Sequence, residues 1–163
     1  MLPASAVDPA IRQQWRENGY WQDISLDQAL TYAAERFADA QLNIHSVDRP
    51  AQVTLGELRK RGLMLAGALQ KIGIGSGDVI ALQLPNWIES ALVYQAAAAL
   101  GAVILPIVPI FGETALGFIL RDAHARVLFI PGVWRGADYV ERVQRMDETP
   151  ELTAVVVVAG DRE

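Results

Sequence analysis

Apolar and polar residues follow two rhythms along this chain, and the sharpest change between them lies in residues 78–111. Residues 79–84 and 102–107 are short, almost unbroken apolar runs rich in β-branched side chains, as expected of strands buried on both faces of a sheet. The segment between them predicts a helix. Asn86 follows Pro85 and is placed to cap the first turn, Glu89 to reach back to that cap, and Gly101 to end the helix. Strands joined by a helix of this length lie parallel with a right-handed crossover, so a βαβ unit organises the chain.

The flanking segments repeat the pattern. Residues 1–24 form an N-terminal arm, with Trp15, Tyr20 and Trp21 around a short helix over 9–17 that Gly19 stops; the arm is expected to pack on the domain formed by 25–163. Ser25 with Gln28 is a capping-box pattern opening a helix whose apolar side is Leu26, Ala29, Leu30, Ala33 and Phe37. Residues 42–47 and 52–54, separated by Asp48-Arg49-Pro50, read as a hairpin. Thr54 with Glu57 is another capping-box pattern, followed at helical spacing by Leu55, Leu58, Gly62, Leu65, Leu69 and Ile72. Gly62 is placed to let a neighbour approach, and Arg59-Lys60-Arg61 to form a solvated face.

Beyond the βαβ unit a helix is predicted over 112–122, a strand over 127–131, a helix over 134–146 and a strand over 153–159. This alternation predicts an α/β fold: an open, largely parallel, doubly wound sheet with helices on both faces. Ligands of such sheets bind beyond the carboxyl ends of the strands, here 85–86, 107–112 and 131–136.

Composition narrows the function. With 163 residues, 52% of them hydrophobic and 20% charged, the chain can bury one substantial core. A net charge of -5, with Lys60 and Lys71 the only lysines, argues against nucleic acid as a partner. The absence of cysteine excludes disulfides and thiolate metal sites and fits the cytoplasm. The apolar run 96–111 is broken by Gly101, Pro106 and Pro109 and is too short to span a bilayer.

Catalytic constellations are missing. His45 and His124 are too few ligands for a metal. The glycines of 73–78 follow a helix and precede a strand, the reverse of a phosphate loop, and so read as a helix stop and turn. Asp147-Glu148 lies in a polar segment before Pro150 and reads as a solvated loop. No catalytic residue and no metal site is assigned.

Four stretches in order carry a resemblance: V-T-L-G-E-L from Val53, G-D-V-I-A-L-Q-L-P-N-W from Gly77, A-L-G-A-V-I-L-P-I-V-P from Ala99, and G-E-T-A-L-G-F-I-L-R-D-A-H-A-R-V-L-F-I from Gly112. Over residues 26–130 the chain resembles the N-terminal subdomain of AMP-forming acyl-CoA synthetases, the adenylate-forming ligases, and Gly19-Tyr20-Trp21 is similar to their fatty-acid and cyclic-carboxylate branch.

The resemblance implies a two-step reaction in which a carboxylate attacks ATP to give an acyl-adenylate and pyrophosphate, and the thiol of CoA then displaces AMP. The family's phosphate loop of the type T-S-G-T-T-G-x-P-K and its adenylating lysine are not in these residues. The expectation is therefore a truncated N-terminal fragment, inactive alone, that binds none of ATP, CoA and Mg2+ tightly until completed by the remainder of the same enzyme. A fatty or other carboxylic acid is the implied substrate. The resemblance also implies contacts for the nucleotide end of CoA at Phe111, Gly112, Gly132, Trp134 and Arg135, with Arg135 suited to a phosphate. Apolar surface left uncovered is expected to favour dimerisation. A cytoplasmic location follows, with peripheral membrane association open to the complete enzyme. The alternative is a free-standing doubly wound binding or interaction module without catalysis.

Overall fold

A computed structural model describes residues 7–158. The first six residues of the predicted arm, Ala159 at the end of the last predicted strand and the closing Gly-Asp-Arg-Glu lie outside the described residues.

The apolar runs pair as expected. β3 (Val79–Leu82), β4 (Val103–Pro106), β5 (Ala125–Pro131) and β8 (Ala154–Val158) form one parallel sheet in the order β4-β3-β5-β8. Successive side chains leave a strand on opposite faces. Ile80, Leu82, Val127 and Phe129 thus pack with Ala66 and Leu69 of α3 (Leu55–Lys71) and Val93 and Ala96 of α4 (Ile88–Leu100). Ala81, Leu128 and Ile130 pack on the other face with Leu116 and Leu120 of α5 (Glu113–Asp122) and Tyr139 of α6 (Tyr139–Gln144). Two separate cores, one on each face, define the doubly wound arrangement. A side chain such as Leu128, with no exposed surface, contributes about 1.5–3 kcal/mol by its removal from water.

The hairpin is antiparallel, β1 (Gln41–Ile44) with β2 (Ala51–Thr54), and Val53 joins Leu58, Ile88 and Leu92 in a third cluster. Ser25 and Gln28 form both halves of the capping box that opens α2 (Leu26–Arg36). At α3 only Thr54 bonds, accepting the Glu57 N–H, while the Glu57 carboxylate lies 3.9 Å from Lys60.

Four expectations about these elements are corrected. Helix α4 begins at Ile88 with Trp87 at its N-cap, and Asn86 is no cap. The Trp87 N–H bonds the Pro85 carbonyl at 2.7 Å, a γ-turn centred on Asn86 that delays the helix, and Glu89 turns instead to Arg49 at 2.7 Å. The helix over 134–146 shrinks to α6 because Arg135 and Gly136 both take positive φ, +49° and +75°. Two consecutive positive φ values make the tight turn of a two-residue hairpin, here joining β6 (Val133–Trp134) to β7 (Ala137–Asp138). Arg59 is buried, not part of a solvated face. The ends of the α2 stripe are exposed, Leu26 at 60% and Phe37 at 53%. In the arm, α1 (Pro9–Glu17) buries no residue of its own, and its Trp15 lies 6.1 Å from Trp21 beyond the helix.

The turn from α3 into β3 carries a titratable staple. Asp78 accepts the Gly75 N–H at 2.8 Å and meets Arg126 at 3.2 Å, and Arg126 also bonds the Gly73 carbonyl. The Gly75 N–H first, and then the Arg126 guanidinium, hold the Asp78 carboxyl below its ordinary 3.8 against the opposing effect of burial. A carboxyl depressed in the folded state stabilises fully above pH 3.8, and that contribution disappears as the pH falls through its lowered value. Asp78→Asn is therefore expected to flatten the acid limb of stability against pH below 3.8, measured by urea unfolding. An acid limb of unchanged steepness would show that other carboxylates set it.

Candidate functional site

Gln83 follows β3, and its backbone N–H continues the ladder to the Phe129 carbonyl at 2.8 Å. Its side chain is fully buried, and Nε2 donates to the carbonyls of Val108 at 3.2 Å and Phe111 at 2.9 Å. In the loop leaving β4 the Phe111 N–H bonds the Val108 carbonyl at 3.1 Å, and side-chain donors add to this backbone bond. Arg142 supplies two more bonds from α6, to Pro109 at 3.0 Å and Phe111 at 2.8 Å, and the Tyr139 hydroxyl donates to Pro109 at 3.1 Å. Donors from both neighbouring segments thus fix the loop that presents Phe111 and Gly112. Phe111 itself stays 40% exposed, and Ile110 83%.

The exit of β5 is tied to the same anchor. The Tyr139 N–H donates to the Gly132 carbonyl at 3.0 Å, and its ring lies 6.5 Å from Trp134. Arg142 sits 4.3 Å over Tyr139 and Arg135 sits 4.6 Å over Trp134, so two guanidinium groups flank an aromatic pair. The structure therefore joins the two groups of residues expected at a CoA contact, Phe111 with Gly112 and Gly132 with Trp134 and Arg135, through Tyr139. Arg135 is exposed, and its positive φ places it at the tip of the hairpin. The Trp134 indole N–H donates to Asp48, in the β1–β2 loop, at 2.6 Å.

The third strand exit differs. Trp87 is 3% exposed, with Arg49 4.6 Å over its ring, and is a packing aromatic. It borders an open groove of about 390 Å³ with Asn86, Ser90 and Tyr94. A larger groove of about 620 Å³ lies between α2 and α3 and includes no residue of the strand exits.

Gln83, Tyr139 and Arg142 were not anticipated. Gln83 carries a signal, a lone amide within an apolar strand exit; Tyr139 and Arg142 carry none, because the residues of the turn that brings them in suit a helix. Among the described residues no group of three or more His, Asp or Glu side chains could hold a metal ion, and no helix is long and apolar enough to cross a membrane.

The model of the AMP-binding enzyme family matches residues 30–163. The chain belongs to this family. Among AMP-binding relatives, it is 32% identical over 149 residues to a medium-chain fatty-acid–CoA ligase of Escherichia coli, covering 90% of this chain and 26% of the ligase. It is 31% identical to a salicyl-AMP ligase/salicyl-S-ArCP synthetase of Mycobacterium tuberculosis, with 90% and 26% covered. The fold matches the N-terminal domain of FACL13 from Mycobacterium tuberculosis with a TM-score of 0.74 at 23% identity, covering 83% of this chain and 34% of that one. The chain thus spans about a quarter of the curated AMP-binding ligases it matches.

Proposed function

We propose that the chain is the N-terminal α/β part of an AMP-forming carboxylate–CoA ligase, with residues 25–163 as its subdomain and 1–24 as an arm. The observation that carries this reading is the family match over 30–163 together with relatives named for the activation of fatty and aromatic acids. When bound, ATP with Mg2+ supplies the adenylyl group and CoA the thiol acceptor, with pyrophosphate and then AMP leaving.

The residues in hand suit one of these groups. The nucleotide end of CoA offers phosphates and a flat base, and the strand exits offer an exposed guanidinium at Arg135 beside aromatic surface at Trp134 and Phe111. Gly112 opens α5 without a side-chain cap, and the positive potential of that helix start is partly offset by Glu113 in its first turn. ATP does not fit in the same way, because no Ser/Thr/Gly-rich phosphate loop is present in these residues. The role of Gln83, Tyr139 and Arg142 is to hold the CoA-facing loop rigid. Val108, Ile110 and Val133, exposed at 56%, 83% and 61%, would be covered by the rest of the ligase, and the bare chain would associate through them. A cytoplasmic location of the complete enzyme is part of this reading, and these 163 residues, without cysteine, suit a reducing compartment.

ATP–pyrophosphate exchange with a panel of aliphatic and aryl carboxylates tests the reading. The 163 residues alone are expected to be silent, and a ligase that begins with them to exchange in the presence of an acid. Exchange by the short chain itself would overturn the assignment.

A further inference from the structure

Asp48 lies in the loop between β1 and β2, far in sequence from the strand exits, yet its carboxylate accepts the Trp134 indole N–H at 2.6 Å. A charged acceptor at this length makes a strong, directional bond, which fixes the indole plane. That plane is the surface on which Arg135 rests, 4.6 Å from the ring centroid. Trp134 and Arg135 belong to a hairpin of only two residues per strand, too short to be rigid alone. Tyr139 supports the indole from one side at 6.5 Å, and Asp48 holds its polar edge.

The loop bearing Asp48 is itself anchored. Its neighbour Arg49 bonds Glu89 at 2.7 Å and lies 4.6 Å over Trp87, and the Arg49 N–H bonds the Ser46 hydroxyl at 3.2 Å. The loop therefore connects the exit of β3 to the exit of β5 without passing through the sheet.

We propose that Asp48 is a positioning residue for CoA: by holding Trp134 it sets where the Arg135 guanidinium stands for the nucleotide phosphates. The inference rests on the CoA reading of Arg135 given above. It adds a residue from outside the doubly wound core that touches neither substrate nor cofactor.

The test is steady-state kinetics of the complete ligase with CoA as the varied substrate. Asp48→Ala is expected to raise the KM for CoA about fivefold with kcat changed less than about twofold, because an interaction lost from binding alone appears in KM. Asp48→Asn keeps an acceptor oxygen and is expected to restore most of the difference. Arg135→Ala is expected to raise the same KM about tenfold, and Asp48→Ala added to it to change nothing further, since residues acting through one another are not additive. If Arg135→Ala raises KM and Asp48→Ala does not, or if the double variant is worse than Arg135→Ala, the positioning role is overturned while the CoA reading stands. If Arg135→Ala leaves KM unchanged, the CoA reading fails and this proposal with it.

Discussion

Replacing Gly62 by alanine is expected to destabilise the chain by about 3 kcal/mol, at the upper end of what overpacking one methyl group does. An ideal Cβ at 62 would lie 2.3 Å from Gln95 Cβ and 3.2 Å from Gln95 Cγ, so α3 and α4 would have to separate. The obstructing atom is at the root of a side chain on a packed helix and cannot rotate away. A control lies in the same helix: a Cβ at Gly67 meets nothing within 4 Å, and Gly67→Ala should stabilise by about 0.5–1 kcal/mol through helix propensity. Urea unfolding of both variants, with m compared as well as the midpoint, measures the difference. Equal stabilities for the two would mean that the helix contact yields without strain.

That glycine shows what was legible in the sequence. Its place in an apolar helical stripe marked a close approach, and the structure supplies Gln95 as the neighbour. The sheet was legible for the same kind of reason: buried parallel strands need unbroken apolar runs, and residues 79–84, 102–107 and 127–131 contain such runs. Signals that depend on a single backbone turn failed. Asn86 has the chemistry of a cap, but a γ-turn after Pro85 moved the helix start to Ile88. The segment 134–146 has residues that suit a helix, but Arg135 adopts φ +49°, a conformation a non-glycine residue seldom takes, and its identity did not announce it.

The candidate site divides along the same line. Phe111, Gly112, Gly132, Trp134 and Arg135 are expected from the family resemblance, which marks positions along the chain and not the side chains that hold them. Their supports come from elsewhere: Gln83 from the exit of neighbouring β3, Tyr139 and Arg142 from α6, and Asp48 from 86 residues before Trp134. No periodicity links residues at such separations, so only the tertiary structure brings them together.

Arg59 is the other position where a strong effect is expected, and it arises from a residue that helical spacing and charge place on a solvated face. Its side chain is 10% exposed and donates to Asp27 at 2.5 Å and Thr31 at 2.8 Å on α2, and to Gln95 at 3.3 Å on α4. Helix α2 has no buried residue, so little apolar burial holds it in place. One guanidinium fork then supplies much of its attachment. Asp27 is 35% exposed and can regain water when its partner is lost, so Arg59→Ala should destabilise by about 2 kcal/mol, below the ~3–5 kcal/mol of a fully buried broken pair. A double-mutant cycle with Asp27→Asn should give a coupling of about 1 kcal/mol. Amides of α2 should exchange faster in Arg59→Ala by local opening, ahead of global unfolding. The Gly62→Ala change moves Gln95, a partner of Arg59, so the two substitutions together should destabilise by less than their sum. Unchanged protection of α2 in Arg59→Ala would show instead that the weak apolar contacts of Ala29, Leu30 and Ala33 suffice to hold the helix.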